Sequence, residues 1–166
     1  MATIRGILVP ALLGVLSGCS VLGGGSPTPT PTPVTAPPSA KAGFGGPEPA
    51  AQSVTEEMFQ TPSKNIVCAL TSSEVRCDIA KKSWAPPPEP ADCDFDWGNG
   101  LVVTGGKVTF TCASDTVLGS ARITLEYGEA IRAGTVRCDS ASSGLKCRDV
   151  DTGHGFTLAT ANYTVF

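Results

Sequence analysis

Two stretches of this chain spell nearly the same hairpin. Ile66-Val-Cys68-Ala-Leu-Thr-Ser-Ser-Glu-Val75-Arg-Cys77 and Val136-Arg-Cys138-Asp-Ser-Ala-Ser-Ser-Gly-Leu145-Lys-Cys147 each set two cysteines nine residues apart, with Ser-Ser midway and an aliphatic and a basic residue before the second cysteine. A two-residue Ser72-Ser73 loop makes Thr71 and Glu74 a hydrogen-bonded pair. Pair types alternate away from the turn, so Leu70 faces Val75 and Cys68 faces Cys77 in the closer class, at a separation that suits a disulfide. This register gathers Ile66, Cys68, Leu70, Val75, Cys77 and Ile79 on one face. The same arithmetic pairs Cys138 with Cys147 and leaves Cys93 to bridge Cys112. Loops of these sizes contribute about 3 kcal/mol each in the chain-entropy model, together comparable to the net stability of a small domain. Zinc is the rival reading, but thiolate sites use C-x₂₋₄-C pairs and none occurs here.

The seventh cysteine stands apart. Met1 to Arg5 is a short n-region with one positive charge, Gly6 to Leu16 is apolar, and Leu16-Ser17-Gly18-Cys19 follows. This is the layout of a secretory signal peptide over residues 1–18. Its ending resembles the lipobox of bacterial lipoproteins, which implies cleavage before Cys19 and acylation of Cys19 on its sulfur and new amino group. Two or more acyl chains anchor a protein stably where one does not. The expected location is the outer face of the cytoplasmic membrane, with the membrane as a partner through Cys19. No apolar run approaches the roughly 20 residues a bilayer-spanning helix needs.

Residues 19–54 read as the lipidated cysteine and a disordered linker. Ser20 to Val54 holds 8 Pro and 6 Gly, including Pro27-Thr-Pro-Thr-Pro-Thr-Pro33, and only Lys41 and Glu48 are charged. Alternating Pro favours polyproline II, and the segment has too little apolar surface to offset its ordering entropy. Fully extended in that form it spans about 110 Å, enough to stand a head off the membrane. Thr-Pro repeats of this kind also invite O-glycosylation.

Residues 55–166 form the folded part, and their strand signals predict an all-β domain: a small antiparallel sandwich or barrel of about eight short strands with three disulfides. In Leu101-Val-Val-Thr-Gly-Gly-Lys-Val-Thr-Phe110 the Gly105-Gly106 pair suits a type I′ turn, so Leu101 faces Phe110 and Val103 faces Val108. Thr55 to Gln60 reads as one helical turn, and Pro86-Pro87-Pro88 with Pro90 as a rigid loop. Phe59-Gln-Thr-Pro62-Ser-Lys-Asn65-Ile-Val-Cys68, Val75-Arg-Cys77-Asp-Ile79, Asp96-Trp97-Gly98, Asp115-Thr116, Tyr127-Gly128, Gly144-Leu-Lys-Cys147 and Gly153-His-Gly-Phe156 with Tyr163 and Phe166 resemble an uncharacterised domain of actinobacterial (mycobacteria-type) envelope lipoproteins and secreted proteins. The resemblance implies an envelope location and a disulfide-bonded β domain, and carries over no catalytic residue or ligand.

A net charge of -3 with no basic stripe argues against nucleic acid as a partner. His154 is the sole histidine, so any Ser-His-Asp chemistry must use it, and its Gly-His-Gly setting is that of a turn. Asp151-Thr-Gly153 spells the aspartic-protease tripeptide once, where that chemistry needs two carboxylates. Asp92, Asp94 and Asp96 alternate like EF-hand ligands, but Trp97 and Val103 stand where Gly and Glu belong. Trp84, Trp97 and Phe95 flank the proline loop. They either cap a small core or make an aromatic platform for sugar rings or a partner chain. The expectation is a lipid-anchored, non-catalytic binding or interaction module, with no cofactor and no metal, whose partner is a protein or wall glycan. The alternatives are a wall-directed hydrolase using His154 with an Asp such as Asp151, and a purely structural envelope protein.

Overall fold

The structure, a computed structural model, describes residues 44 and 46–166. The signal segment 1–18, the lipobox with Cys19 and the tether before residue 44 lie outside the described residues. The described chain is all-β, as the strand signals demand. Its strands are β1 (Ala51–Val54), β2 (Glu57–Gln60), β3 (Ile66–Leu70), β4 (Glu74–Ile79), β5 (Asp96–Thr104), β6 (Lys107–Ala113), β7 (Ile123–Thr124), β8 (Ala130–Ala133), β9 (Val136–Ala141), β10 (Gly144–Asp149), β11 (Gly155–Leu158) and β12 (Tyr163–Val165).

They form two six-stranded sheets whose buried faces share one core. The first runs β1-β8-β9-β10-β11-β12, and the second, read from its other edge, runs β7-β2-β3-β4-β5-β6. Each is a five-strand antiparallel meander from one half of the chain, capped by a short lead strand from the other half. The caps, β1 on β8 and β7 on β2, are parallel pairs. The chain passes from one sheet to the other between β1 and β2, and again between β7 and β8, so each half lends a strand to its neighbour's sheet.

Three sequence expectations change. The sheets are mixed rather than purely antiparallel, and the strands exceed eight, because β1, β2 and β7 are only two to four residues long and the parallel pairs β1–β8 and β2–β7 join segments far apart in sequence. Residues 55–60 are not a helical turn. A single turn cannot hold itself together, whereas β2 pairs its backbone with β3 and buries Phe59 fully. Residues 51–54, read as linker, form β1 on the edge of β8. The Pro-rich composition ends at Pro49, and Ala51-Gln-Ser-Val has the backbone donors that an edge pairing uses.

The two cysteine hairpins have the expected register. Cys68 faces Cys77, Leu70 faces Val75 and Ile66 faces Ile79, while Cys138 faces Cys147. Thr71 N–H donates to the Glu74 carbonyl at 2.8 Å. The bridges are Cys68–Cys77, Cys93–Cys112 and Cys138–Cys147. The two hairpin bridges meet in the core, where Cys77 Sγ lies 3.9 Å from Cys147 Sγ. Around them pack Leu70, Val75, Leu101, Ile131, Leu145, Phe156 and Leu158, all essentially inaccessible. Burial of each such side chain stabilises by roughly 1.5–3 kcal/mol. Gly105 and Gly106, at φ 54° and 71°, make the β5–β6 turn that an L side chain would strain.

Candidate binding site

The aromatic residues flanking the proline loop do not form a platform. Trp84 packs on Tyr163 (4.7 Å between centroids) and on Phe110 (6.3 Å), Phe110 packs on Tyr163 (5.0 Å), and Trp97 on Phe110 (5.7 Å). Phe110 belongs to β6 and Tyr163 to β12, the far edges of the two sheets, so the four rings plug the open side of the sandwich. Both indole N–H groups are committed: Trp84 Nε1 donates to the Ala159 carbonyl at 2.8 Å and Trp97 Nε1 to the Pro87 carbonyl at 2.9 Å. Phe95 stands apart, 57% exposed.

His154 and Asp151 are both exposed in the β10–β11 turn. The organiser of that turn is Asp149. Its carboxylate is 6% exposed and accepts from Thr135 Oγ1 (2.7 Å), from the backbone N–H of Asp151 and Thr152, and from Thr152 Oγ1. The Thr135 hydroxyl first, then the Thr152 N–H, hold its carboxyl below the usual range. Asp151-Thr-Gly153 is thus the tail of a turn built on the preceding aspartate. Among the described residues Asp92, Asp94 and Asp96 gather into no cation-ligating group. Among the described residues the one cluster with metal-ligand spacing, Cys68, Cys77 and Cys147, is made of bridged sulfurs.

The polar chemistry concentrates elsewhere. Val-Arg-Cys-Asp occurs twice, at Val75–Asp78 and Val136–Asp139. In a strand the two residues flanking a core cysteine both point outward, so each copy sets an arginine beside an aspartate on a sheet's outer face. Arg76 Nε and Nη2 grip Asp78 at 3.1 and 3.0 Å, and Arg137 Nη2 grips Asp139 at 2.6 Å. Each arginine then fastens a neighbouring segment. Arg76 donates to Asp115 Oδ1 and to its carbonyl, both at 2.7 Å, while Asp78 Oδ2 accepts from Thr116 Oγ1 and Val117 N–H. The loop after β6 is thereby held over β4 and β5. Arg137 donates to the Pro49 carbonyl at 2.7 Å, and Glu48 pairs with Arg148 at 2.6 Å, which holds the approach to β1 across β9 and β10.

Each fastening covers a pocket. The one over β9 and β10, about 270 Å³, is lined by Phe44, Pro47, Pro49, Ala141 and Lys146. The one over β4, β5 and β6 is larger and more polar, about 380 Å³, with Arg76, Asp78, Asp96, Asn99, Thr111 and Thr116 in its wall. Its floor depends on Gly100, where a β-carbon would run into the Cys77 carbonyl and the Asp78 carboxylate. A register irregularity between Trp97 and Leu101 bends β5 beside it. Thr111 is 5% exposed, and its Oγ1 is buried without a hydrogen-bond partner. The Arg76 hydrogen bond holds the Asp115 carboxyl below the usual range. The lining carries three carboxylates against one guanidinium, whose donors are turned to Asp78 and Asp115. It therefore disfavours anions and offers acceptors, a hydroxyl and an amide.

Residues 46–166 match a family of unknown function, DUF6636. The chain belongs to this family. No curated protein and no solved structure matches it. The match spans the whole sandwich from the approach to β1 onward, including both Val-Arg-Cys-Asp strands. Sequence reasoning centred on bridges and aromatics passed over this pocket. The available signal was the Arg-x-Asp spacing across a core cysteine, together with Asp96 and Asp115-Thr116, which stand among the segments that carry the family resemblance.

Proposed function

We propose that the protein is a lipid-anchored module of the outer face of the cytoplasmic membrane that binds an envelope component rather than transforming one. Support for the address comes from Leu16-Ser-Gly-Cys19 behind an apolar run, and from three bridges of the kind that persist in oxidising compartments. The observation that carries the binding reading is the β4–β6 pocket. A buried ion pair and a pinned loop form it in advance, and one of its wall hydroxyls is left without a partner. Preformed polar pockets suit recognition, because their groups pay little ordering cost when a ligand arrives. The hydrolase alternative draws no support from geometry, since His154 and Asp151 are both exposed turn residues.

The test has two arms in the native host. Fractionation of cells expressing the wild-type chain or Cys19→Ser should place the first in the membrane and the second in the medium. Crosslinking from intact cells should recover a specific envelope component with the wild type and not with an Asp78→Asn, Thr111→Val double variant. Recovery of nothing specific, or cleavage of wall polymer by the purified chain, overturns the reading.

A further inference from the structure

The β4–β6 pocket is selective in what it offers a ligand. Arg76, the basic residue in its wall, directs its donors to Asp78 and Asp115, so it is not poised to receive a phosphate or carboxylate. A divalent cation would need several carboxylate oxygens converging, and among the described residues these aspartates do not converge. The groups left over are the Thr111 and Ser114 hydroxyls, the Asn99 amide, the Asp96 carboxylate and the second Asp115 oxygen. Asn99 Oδ1 already accepts from Lys82 Nζ at 3.2 Å, which leaves its two N–H groups as donors. The apolar remainder of the lining is Ile79, Ala80, Ala113 and Leu118. Alternating donors and acceptors over a small aliphatic surface is the complement of a sugar ring, whose hydroxyls each donate and accept while its C–H face is apolar.

We propose that this pocket binds a neutral saccharide unit, with Thr111, Asn99 and Asp96 as its hydrogen-bonding residues. The assignment rests on the binding reading above and narrows it to a ligand class. The unpartnered Thr111 hydroxyl is the observation that points to a ligand. A buried hydroxyl with no partner is costly in the free protein and is retained where a ligand completes it.

The experiment is an amide NMR titration of the full chain with three neutral disaccharides (chitobiose, maltose and mannobiose), with inorganic phosphate and spermidine as controls. Saturable shifts confined to residues 96–100 and 111–117 with at least one disaccharide are expected. Phosphate should give none. Thr111→Val and Asn99→Ala should each keep a dispersed, folded spectrum and weaken binding about tenfold, the equivalent of one lost hydrogen bond with its partner left buried. Three results overturn the assignment: no saturable shift at these residues with any of the three sugars, shifts there with spermidine alone, or sugar affinity unchanged in both variants. If the wild type captures an envelope component from cells and the Asp78→Asn, Thr111→Val variant does not, while the sugar titration fails, the binding reading stands and only the ligand class falls.

Discussion

The same four residues, Val-Arg-Cys-Asp, are used twice and to different ends. On β4 the ion pair ties down a loop from the same sheet and leaves a polar pocket with a spare hydroxyl. On β9 it ties down the chain's own approach to β1, and the pocket beneath adds Phe44, Pro47 and Pro49 to a polar lining that includes Ser140, whose buried hydroxyl is also without a partner. The common part follows from sequence: a core cysteine flanked by outward-facing residues of opposite charge. The difference comes from which segment the topology brings past the arginine. One copy has become a candidate recognition site. The other has become a strap that holds residues 48–49 across β9 and β10.

This contrast can be broken by mutation. Asp78 is 2% exposed and serves Arg76, Thr116 and Val117 at once, so Asp78→Ala should cost about 3–5 kcal/mol, as loss of one partner of a buried ion pair does. Asp139 serves Arg137 alone, and Asp139→Ala should cost less, about 1.5–3 kcal/mol. Urea titration of both variants measures the gap, and equal costs would mean that the two copies do the same work.

Replacing Cys68 and Cys77 together by Ala should cost about 2–4 kcal/mol, and replacing Cys138 and Cys147 should cost a similar amount. Because Cys77 and Cys147 touch, the quadruple variant should depart from the sum of the two, whereas bridges in independent halves would add.

Each strap holds a carboxyl with a depressed pKa, Asp115 on one and Glu48 on the other. The hydrogen bond from Arg148 first, and then the nearby positive charges, depress the Glu48 carboxyl. A depressed carboxyl adds stability that is present above its unfolded pKa and is lost as pH falls through the lower folded value. Limited proteolysis near residues 46–50 should therefore speed up as pH drops below about 4. Glu48→Gln should cleave at the faster rate already at neutral pH. Glu48 is half-exposed, so the effect is modest. The smallest change expected is from Thr111→Val. Deleting an unpartnered buried hydroxyl should leave stability unchanged or raise it by up to about 1 kcal/mol. A loss of stability would show that the hydroxyl is already satisfied in the free protein.

The cysteine hairpins and the Leu101–Phe110 hairpin were legible because a short turn fixes register and period-two burial fixes the face. The lead strands were not. β1 and β7 have no alternating pattern of their own, and each is a strand only because a distant parallel partner offers an edge. Trp84 packs against the core, but Phe110 and Tyr163, which meet it there, come from the opposite ends of two sheets, and no local pattern marks them as its partners. The pocket was hidden for a related reason. Arg76 and Asp78 are visible as neighbours in sequence, while Asp96, Thr111 and Asp115 join them only after β4, β5 and β6 pair.

Two separate clasps meet back to back in one core. Peptide mapping by mass spectrometry of the full chain, purified under non-reducing conditions from its native host, tests this directly. The predicted linkages are Cys68–Cys77, Cys93–Cys112 and Cys138–Cys147. Free thiols at these positions, or a Cys77–Cys147 crosslink between the halves, would contradict it.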